Sequence, residues 1–269
     1  MLTNILRQAT EAGAVELVHY FNSDTLQTSV KAGGINDLVT EADHASDKAI
    51  IGVIKNAFPD HFILSEEAGN ITTGSEYKWI IDPIDGTINY AHGIPICCVS
   101  IGLEKAGVMI AGAVYNPFMK EFFYAEKGKG AFLNDRKINV SNNANLINAC
   151  LVTGFPYTYL DSPNGPLQCF ERFIRKVVPV RRLGSAAIDL CWVAAGRFDG
   201  FYEHKLNAWD SAAGFLMVEE AGGKVTDFKN EYYNPYQPHI IATNGLIHDE
   251  LVLVVNDEHE GYNLGKLES

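Results

Sequence analysis

A layered α/β fold in two linked halves is predicted by three features of this 269-residue chain. Two amphipathic helical stretches open it, a block of alternating apolar segments between glycine-bearing turns follows, and the rest interleaves short apolar runs with helical stretches. At 47% hydrophobic and 20% charged residues, the chain can bury a large core, which excludes disorder.

The elements follow in order. Residues 2–21 and about 40–58 carry helical periodicity; in the second stretch Ile50, Ile51, Ile54 and Phe58 recur at three- and four-residue spacing, and Pro59 stops the helix. HFILS reads as a strand. Trp79, Ile80 and Ile81 read as a buried strand with Asp82 at its carboxyl end, where Pro83 forces the chain out of the ladder. Strands are expected at 95–103, 108–115, 121–125 and 131–140. Gly128 and Gly130 make a hairpin turn there, since they lack the longer glycine-lysine-serine pattern of a phosphate loop. In the second half, strands near 150–153, 199–203, 224–227 and 239–242 alternate with helices at 165–177, 184–196 and 208–221, the last ending at Gly222 and Gly223. No linker divides the chain, so it is read as one domain with lobes at about 1–145 and 146–269.

Charge narrows the function. With 21 basic and 33 acidic residues, a net charge of −12 repels nucleic acid and anionic membranes, and an anionic ligand would need cations beside it. Arg7, Glu11 and Glu16 interrupt any signal-peptide core, and no apolar run reaches the roughly 18 residues of a membrane helix. Five cysteines without C-x-x-C spacing predict reduced, mostly buried thiols and a cytoplasmic protein.

The stretch WIIDPIDGTINY ends an apolar strand on Asp82 and Asp85. Two readings are evenly balanced: a turn whose aspartates bond local N–H groups, or a pair of hard oxygen donors for Mg2+ or Mn2+ beside an anion held by Gly86 and Thr87. D-G-T is also similar to the phosphoaspartate phosphatases of the haloacid dehalogenase type. Their two aspartates stand two residues apart, whereas here the spacing is three, which turns the second acid away. His92 is no ligand of such a centre, since hard metals gain little from imidazole.

Other acids break the tie. Asp37 and Asp43 flank the start of the second helix, Glu66 and Glu67 follow HFILS, and Asp210 opens a long apolar helix. Each has an ordinary use as a cap, a solvated loop pair or a charge favourable to a helix dipole. Together, four segments deliver acids to element ends, as an oxygen-ligated multi-metal centre requires.

NDLVTEAD, SEEAG, WIIDPIDGTINYAHGIP, RRLGSAAIDLCWVAAGRFDGFYE and WDSAAGFLMVEEAGG, in this order, resemble the inositol monophosphatase family in its bacterial form. The resemblance implies an αβαβα layered sandwich of the fructose-1,6-bisphosphatase type. It also implies a lithium-sensitive, metal-dependent phosphomonoesterase, a hydrolase with two to three Mg2+ ions (Mn2+ as substitute), and a homodimer. Carried over by position, Glu66, Asp82 and the Ile84 carbonyl match ligands of the first metal. Asp82, Asp85 and Asp210 match those of the second, and Glu66 matches a ligand of a weaker third. Thr87 and Asp43 match the pair that orients the attacking water, and with Glu66 they make the catalytic set. Asp85, Gly86, Thr87, Ala186 and Glu203 match substrate contacts, while Glu67 and Lys31 are candidates without a settled role. Asp37 fits a helix cap better than a ligand. Arg181 and Arg182 fit a dimer interface, the substrate or plain solvent.

These matches imply in-line attack of metal-activated water on myo-inositol 1-phosphate or a related sugar or polyol phosphate. The alternatives are a fructose-1,6-bisphosphatase, an NADP(H) phosphatase, or a regulatory protein-binding role independent of catalysis. A phosphate ester and a second copy of the chain are the expected partners, with neither membrane nor direct nucleic-acid contact.

Overall fold

The computed structural model describes residues 2–21, 23, 28–30, 38–156 and 165–257. Helix α1 (Leu2–Tyr20) precedes a small antiparallel pair, β1 (Thr28–Val30) and β2 (Leu38–Thr40), and then α2 (Glu41–Ala57). The first large sheet is built from β3 (Phe62–Ser65), β4 (Gly69–Ile71), β5 (Tyr77–Asp85), β6 (Cys98–Lys105), β7 (Val108–Asn116), β8 (Glu121–Glu126), β9 (Gly130–Leu133) and β10 (Arg136–Ile138), with the short helix α3 (Thr87–Ala91) after β5. Its order is β10-β9-β8-β7-β6-β5-β3-β4, antiparallel throughout except for β3 beside β5. Next come β11 (Leu151–Thr153), α4 (Pro166–Arg175), β12 (Val180–Arg181), α5 (Ala186–Ala194), β13 (Gly200–His204), α6 (Ala208–Glu220), β14 (Lys224–Thr226), β15 (His239–Thr243) and α7 (His248–Val255). They supply a second, mixed sheet of order β12-β11-β13-β15-β14.

Packing orders these parts into five layers, αβαβα. The pair α1 and α2 covers one face of the first sheet, α5 and α6 lie between the two sheets, and α4 and α7 cover the outer face of the second. Side-chain alternation along β5 and β6 produces this directly. Trp79, Ile81, Val99, Ile101 and Leu103 face the α1–α2 layer, while Ile80 and Cys98 face α5 and α6. Each such side chain contributes about 1.5–3 kcal/mol on full burial. Helix α6 approaches the sheet closely because Gly102 and Gly112 face it: a Cβ added at either would lie 2.9 Å from Ala212 or Ala213.

Three expectations are corrected. Strand β5 does not stop at Asp82; it runs through Pro83 to Asp85 with a bulge, since Asp82 pairs with Ser100 but Asp85 with Cys98. Three steps along β5 thus match two along β6, and the extra residue reverses the side-chain alternation. Proline is tolerated there because a bulge frees one residue from the ladder, and Ser46 of α2 donates to the Pro83 carbonyl at 3.0 Å. The expected strand 131–140 is instead the hairpin β9–β10, turned by Asn134 and Asp135, both at positive φ. The cap of α2 is Thr40, in a reciprocal capping box with Asp43, rather than Asp37, which lies outside the described residues.

Helices and strands at 2–21, 40–58, 108–115, 121–125, 150–153, 165–177, 184–196, 199–203, 208–221, 224–227 and 239–242 appear within a few residues of expectation. All five cysteines are free. Among the described residues no helix is long and apolar enough to cross a membrane.

Candidate functional site

A cavity of about 500 Å³ opens where the ends of β5, β11 and β13 meet the N-termini of α3, α5 and α6. Strand ends of a layered α/β protein are where loops and free helix N–H groups can converge on a ligand. The acids of the cavity arrive there for identifiable local reasons.

Strict alternation would turn Asp82 and Asp85 to opposite faces of the sheet. The bulge undoes this: Ile84 packs with the α1–α2 layer, and Asp85 turns toward α5. Asp85 Oδ2 accepts hydrogen bonds from the Ser185 hydroxyl and, at 2.8 Å, from the backbone N–H of Ala187, so an acid of the first sheet caps helix α5. The Cys98 thiol adds a weak donor at 3.8 Å. Asp82 Oδ1 accepts from the N–H of Ile84 at 3.0 Å, inside the same bulge. Asp210, in the first turn of α6, accepts from the N–H of Asn207 at 2.6 Å. Its expected use as a helix-terminal charge is therefore real, and it leaves a carboxylate oxygen for the cavity.

One oxygen from each of Asp82, Asp85 and Asp210 lies within 4.8 Å of the others. Burial, followed by the charges of Glu66, Asp85, Asp210 and Asp43, drives the Asp82 carboxyl well above the ordinary carboxylate range. Asp210 rises well above that range too, through burial and the charge of Asp85. Asp85 reaches only about 6, because its bonds from Ser185 and Ala187 oppose the effect of burial. Asp82 and Asp85, both buried, and the half-buried Asp210 repel one another and offer only oxygen donors, which fits a hard divalent cation.

The remaining predicted residues distribute around this centre. Glu66 and Ile84 line the cavity, as do Gly86, Thr87, Ala186 and Glu203. Gly86 takes φ +92°, and a Cβ there would sit 2.9 Å from the Ile96 carbonyl, so glycine alone fits the entry to α3. The Thr87 hydroxyl donates to the Ile84 carbonyl at 3.0 Å and lies 3.5 Å from Asp43 Oδ1. Asp43 is fully buried behind it, holding Thr40 through its N–H at 2.7 Å and its hydroxyl at 2.6 Å, and burial pushes its carboxyl up to about 7.

Glu67 turns from the cavity toward His44, 3.7 Å away. His92 is at the end of α3 and is not among the residues lining the cavity. Arg182 stands at the rim, 5.5 Å above the Phe155 ring, while Arg181 is on edge strand β12. Lys31 lies outside the described residues.

Sequence reasoning missed two residues here. Ser185 holds Asp85, and only its place within the GSAA segment hinted at a role. Asp189 lines the cavity from α5; the available signal was a single acid in the otherwise apolar AAIDLCWVA.

Comparison with known proteins agrees with this geometry. The model of a family described as the inositol monophosphatase family matches residues 1–260. The chain is 41% identical over 253 residues to the Nus factor SuhB of Pasteurella multocida, covering 94% of each. It is 40% identical over 247 residues to the fructose-1,6-bisphosphatase/inositol-1-monophosphatase of Thermotoga maritima, covering 92% of each. The solved inositol monophosphatase of Anabaena superposes with a TM-score of 0.84 at 40% identity, over 94% of both chains.

Proposed function

Because the chain belongs to the inositol monophosphatase family, a family of phosphatases, we propose that it hydrolyses myo-inositol 1-phosphate and related polyol phosphates with magnesium as cofactor. The observation that carries this reading is the triad of buried Asp82 and Asp85 with half-buried Asp210, mutually repelling at one end of a cavity wide enough for a sugar-sized ester. These residues, with Glu66 and the Ile84 carbonyl beside them, would hold the ions. Bound there, divalent ions supply Lewis acidity: they offset the acids' charge and polarise the phosphate and an attacking water.

The chain's own groups do the rest. Gly86 and Thr87, at the start of α3, present backbone to the phosphate without a side chain in the way. Ser185 and the Ala187 N–H fix the rotation of Asp85, so that its free oxygen needs no reordering. Thr87 and Asp43 orient water: the threonine hydroxyl stands 3.5 Å from the buried Asp43 carboxyl at the start of α3. Glu203 and Ala186 face the alcohol half of the ester.

Phosphate release from inositol 1-phosphate, fructose 1,6-bisphosphate, NADP and 3′-phosphoadenosine 5′-phosphate tests the reading, with magnesium, with chelator and with lithium. Fastest magnesium-dependent release from inositol 1-phosphate, inhibited by lithium, is expected. Preference for the bisphosphate or NADP moves the assignment to the alternatives within the family, and no release from any ester contradicts it. The likeness to the Nus factor SuhB of Pasteurella multocida supports a second reading, a Nus-factor role. That role is expected to survive Asp82→Asn, whereas turnover is not.

A further inference from the structure

Among the described residues, one oxygen of Asp189 has no partner. The residue is 1% exposed, its Oδ1 makes no hydrogen bond there, and it lines the cavity with Glu203. A buried polar atom left unpaired destabilises a fold, and such groups in native proteins ordinarily find a partner. The residue lines the cavity, so a group bound there is the candidate partner.

Glu203 shapes the same wall. It follows Tyr202 on β13, where Thr153 of β11 is the paired residue, so Gly154 lies alongside it. A Cβ added at Gly154 would fall 2.1 Å from Glu203 Oε1. The Glu203 carboxyl therefore fills the place of a side chain at residue 154 and is held against the strand. Burial and the charges of Glu203 and Asp85 push Asp189 well above the ordinary carboxylate range, which favours the protonated form, a donor and an acceptor at once. A hydroxyl offers the complementary pair.

We propose that Asp189 is a specificity-determining residue that hydrogen-bonds a hydroxyl of the alcohol half of the substrate, so that with Glu203 it selects phosphate esters of polyols over esters without hydroxyls. This rests on the phosphatase reading above. It assigns the residue a contact with substrate and no part in the metal centre.

The test compares kcat/KM for inositol 1-phosphate and for phenyl phosphate in the full chain with magnesium, in wild type, Asp189→Leu and Asp189→Asn. The expected result is that the preference for the polyol ester falls about tenfold or more in Asp189→Leu, the loss of one buried hydrogen bond. Asparagine, which keeps a donor and an acceptor, is expected to retain most of the preference. A preference ratio equal in wild type and Asp189→Leu overturns the assignment, as does an active wild type with no preference for any hydroxylated ester. Absence of release from both esters by wild type overturns the polyol-phosphate reading on which the proposal rests, rather than the role of Asp189 alone. Thermal melting gives an independent readout: Asp189→Leu removes an unpaired buried acid and is expected to raise Tm. A lowered Tm means that the protein already satisfies the side chain, and the proposal fails.

Discussion

Two walls of one cavity hold buried acids in different ways. On the first, Asp82, Asp85 and Asp210 each accept a hydrogen bond from the protein, from Ile84, from Ser185 and Ala187, and from Asn207. On the second, Asp189 has an oxygen with no hydrogen bond among the described residues. The first wall is preorganised and strained by like charge, which a cation relieves; the second is incompletely bonded, which a hydroxyl relieves. Preorganisation belongs where charge is handled, and unsatisfied capacity belongs where a neutral ligand docks.

The contrast can be broken most directly at Asp82. Asp82→Asn is expected to lower magnesium-dependent phosphate release by roughly three orders of magnitude or more, since an ion's contribution of several kcal/mol is lost at about 1.4 kcal/mol per tenfold. Melting of the metal-free variant should match or exceed that of wild type, because a repelling charge has gone. Retained turnover in a folded variant removes the first wall from the chemistry.

His248 sharpens the comparison as a buried ionisable group already satisfied by the protein. Its Nε2 lies 3.0 Å from the Thr226 hydroxyl and its Nδ1 2.9 Å from that of Thr243, and burial lowers its pKa from 6.5 to about 4. The unfolded chain thus takes up the proton first as pH falls below 6.5, and stability declines until about pH 4, where both states are protonated. The loss over that window is about 3 kcal/mol from this residue, at about 1.4 kcal/mol per pKa unit. Chemical denaturation between pH 7 and 4 should show a shallower decline in His248→Gln; an equal slope assigns the acid sensitivity elsewhere.

A smaller effect is expected at Ser185, which touches Asp85 and no substrate atom in this account. Ser185→Ala should weaken apparent magnesium affinity by roughly 10- to 100-fold, the usual cost of losing a group that orients a ligand, with Ser185→Thr restoring it. Titration of activity and of Tm against magnesium distinguishes this from a change in kcat alone.

The order of helices and strands was legible because periodicity records burial: Trp79 and Ile81 against Ile80 already describe a sheet covered on both faces. The acid-bearing segments were legible as well, through their positions at element ends and their resemblance to one family. What remained hidden was how they meet. The spacing of three between Asp82 and Asp85 separates them on a regular strand and unites them only through a bulge, which Pro83 signals no more strongly than it signals a strand end. Asp189 was hidden because an acid on an apolar helix has no meaning until the tertiary structure shows whether anything bonds it. The short strands β1, β2, β4 and β12 also escaped, as two- or three-residue ladders are fixed by their neighbours.

The central claim is that the triad of Asp82, Asp85 and Asp210 holds divalent cations, and anomalous scattering from crystals grown with manganese tests it without recourse to activity. The expected map has a peak within coordination distance of Asp82, Asp85 and Asp210, absent from Asp82→Asn crystals. A fully manganese-loaded crystal with no peak at these three carboxylates would contradict the account.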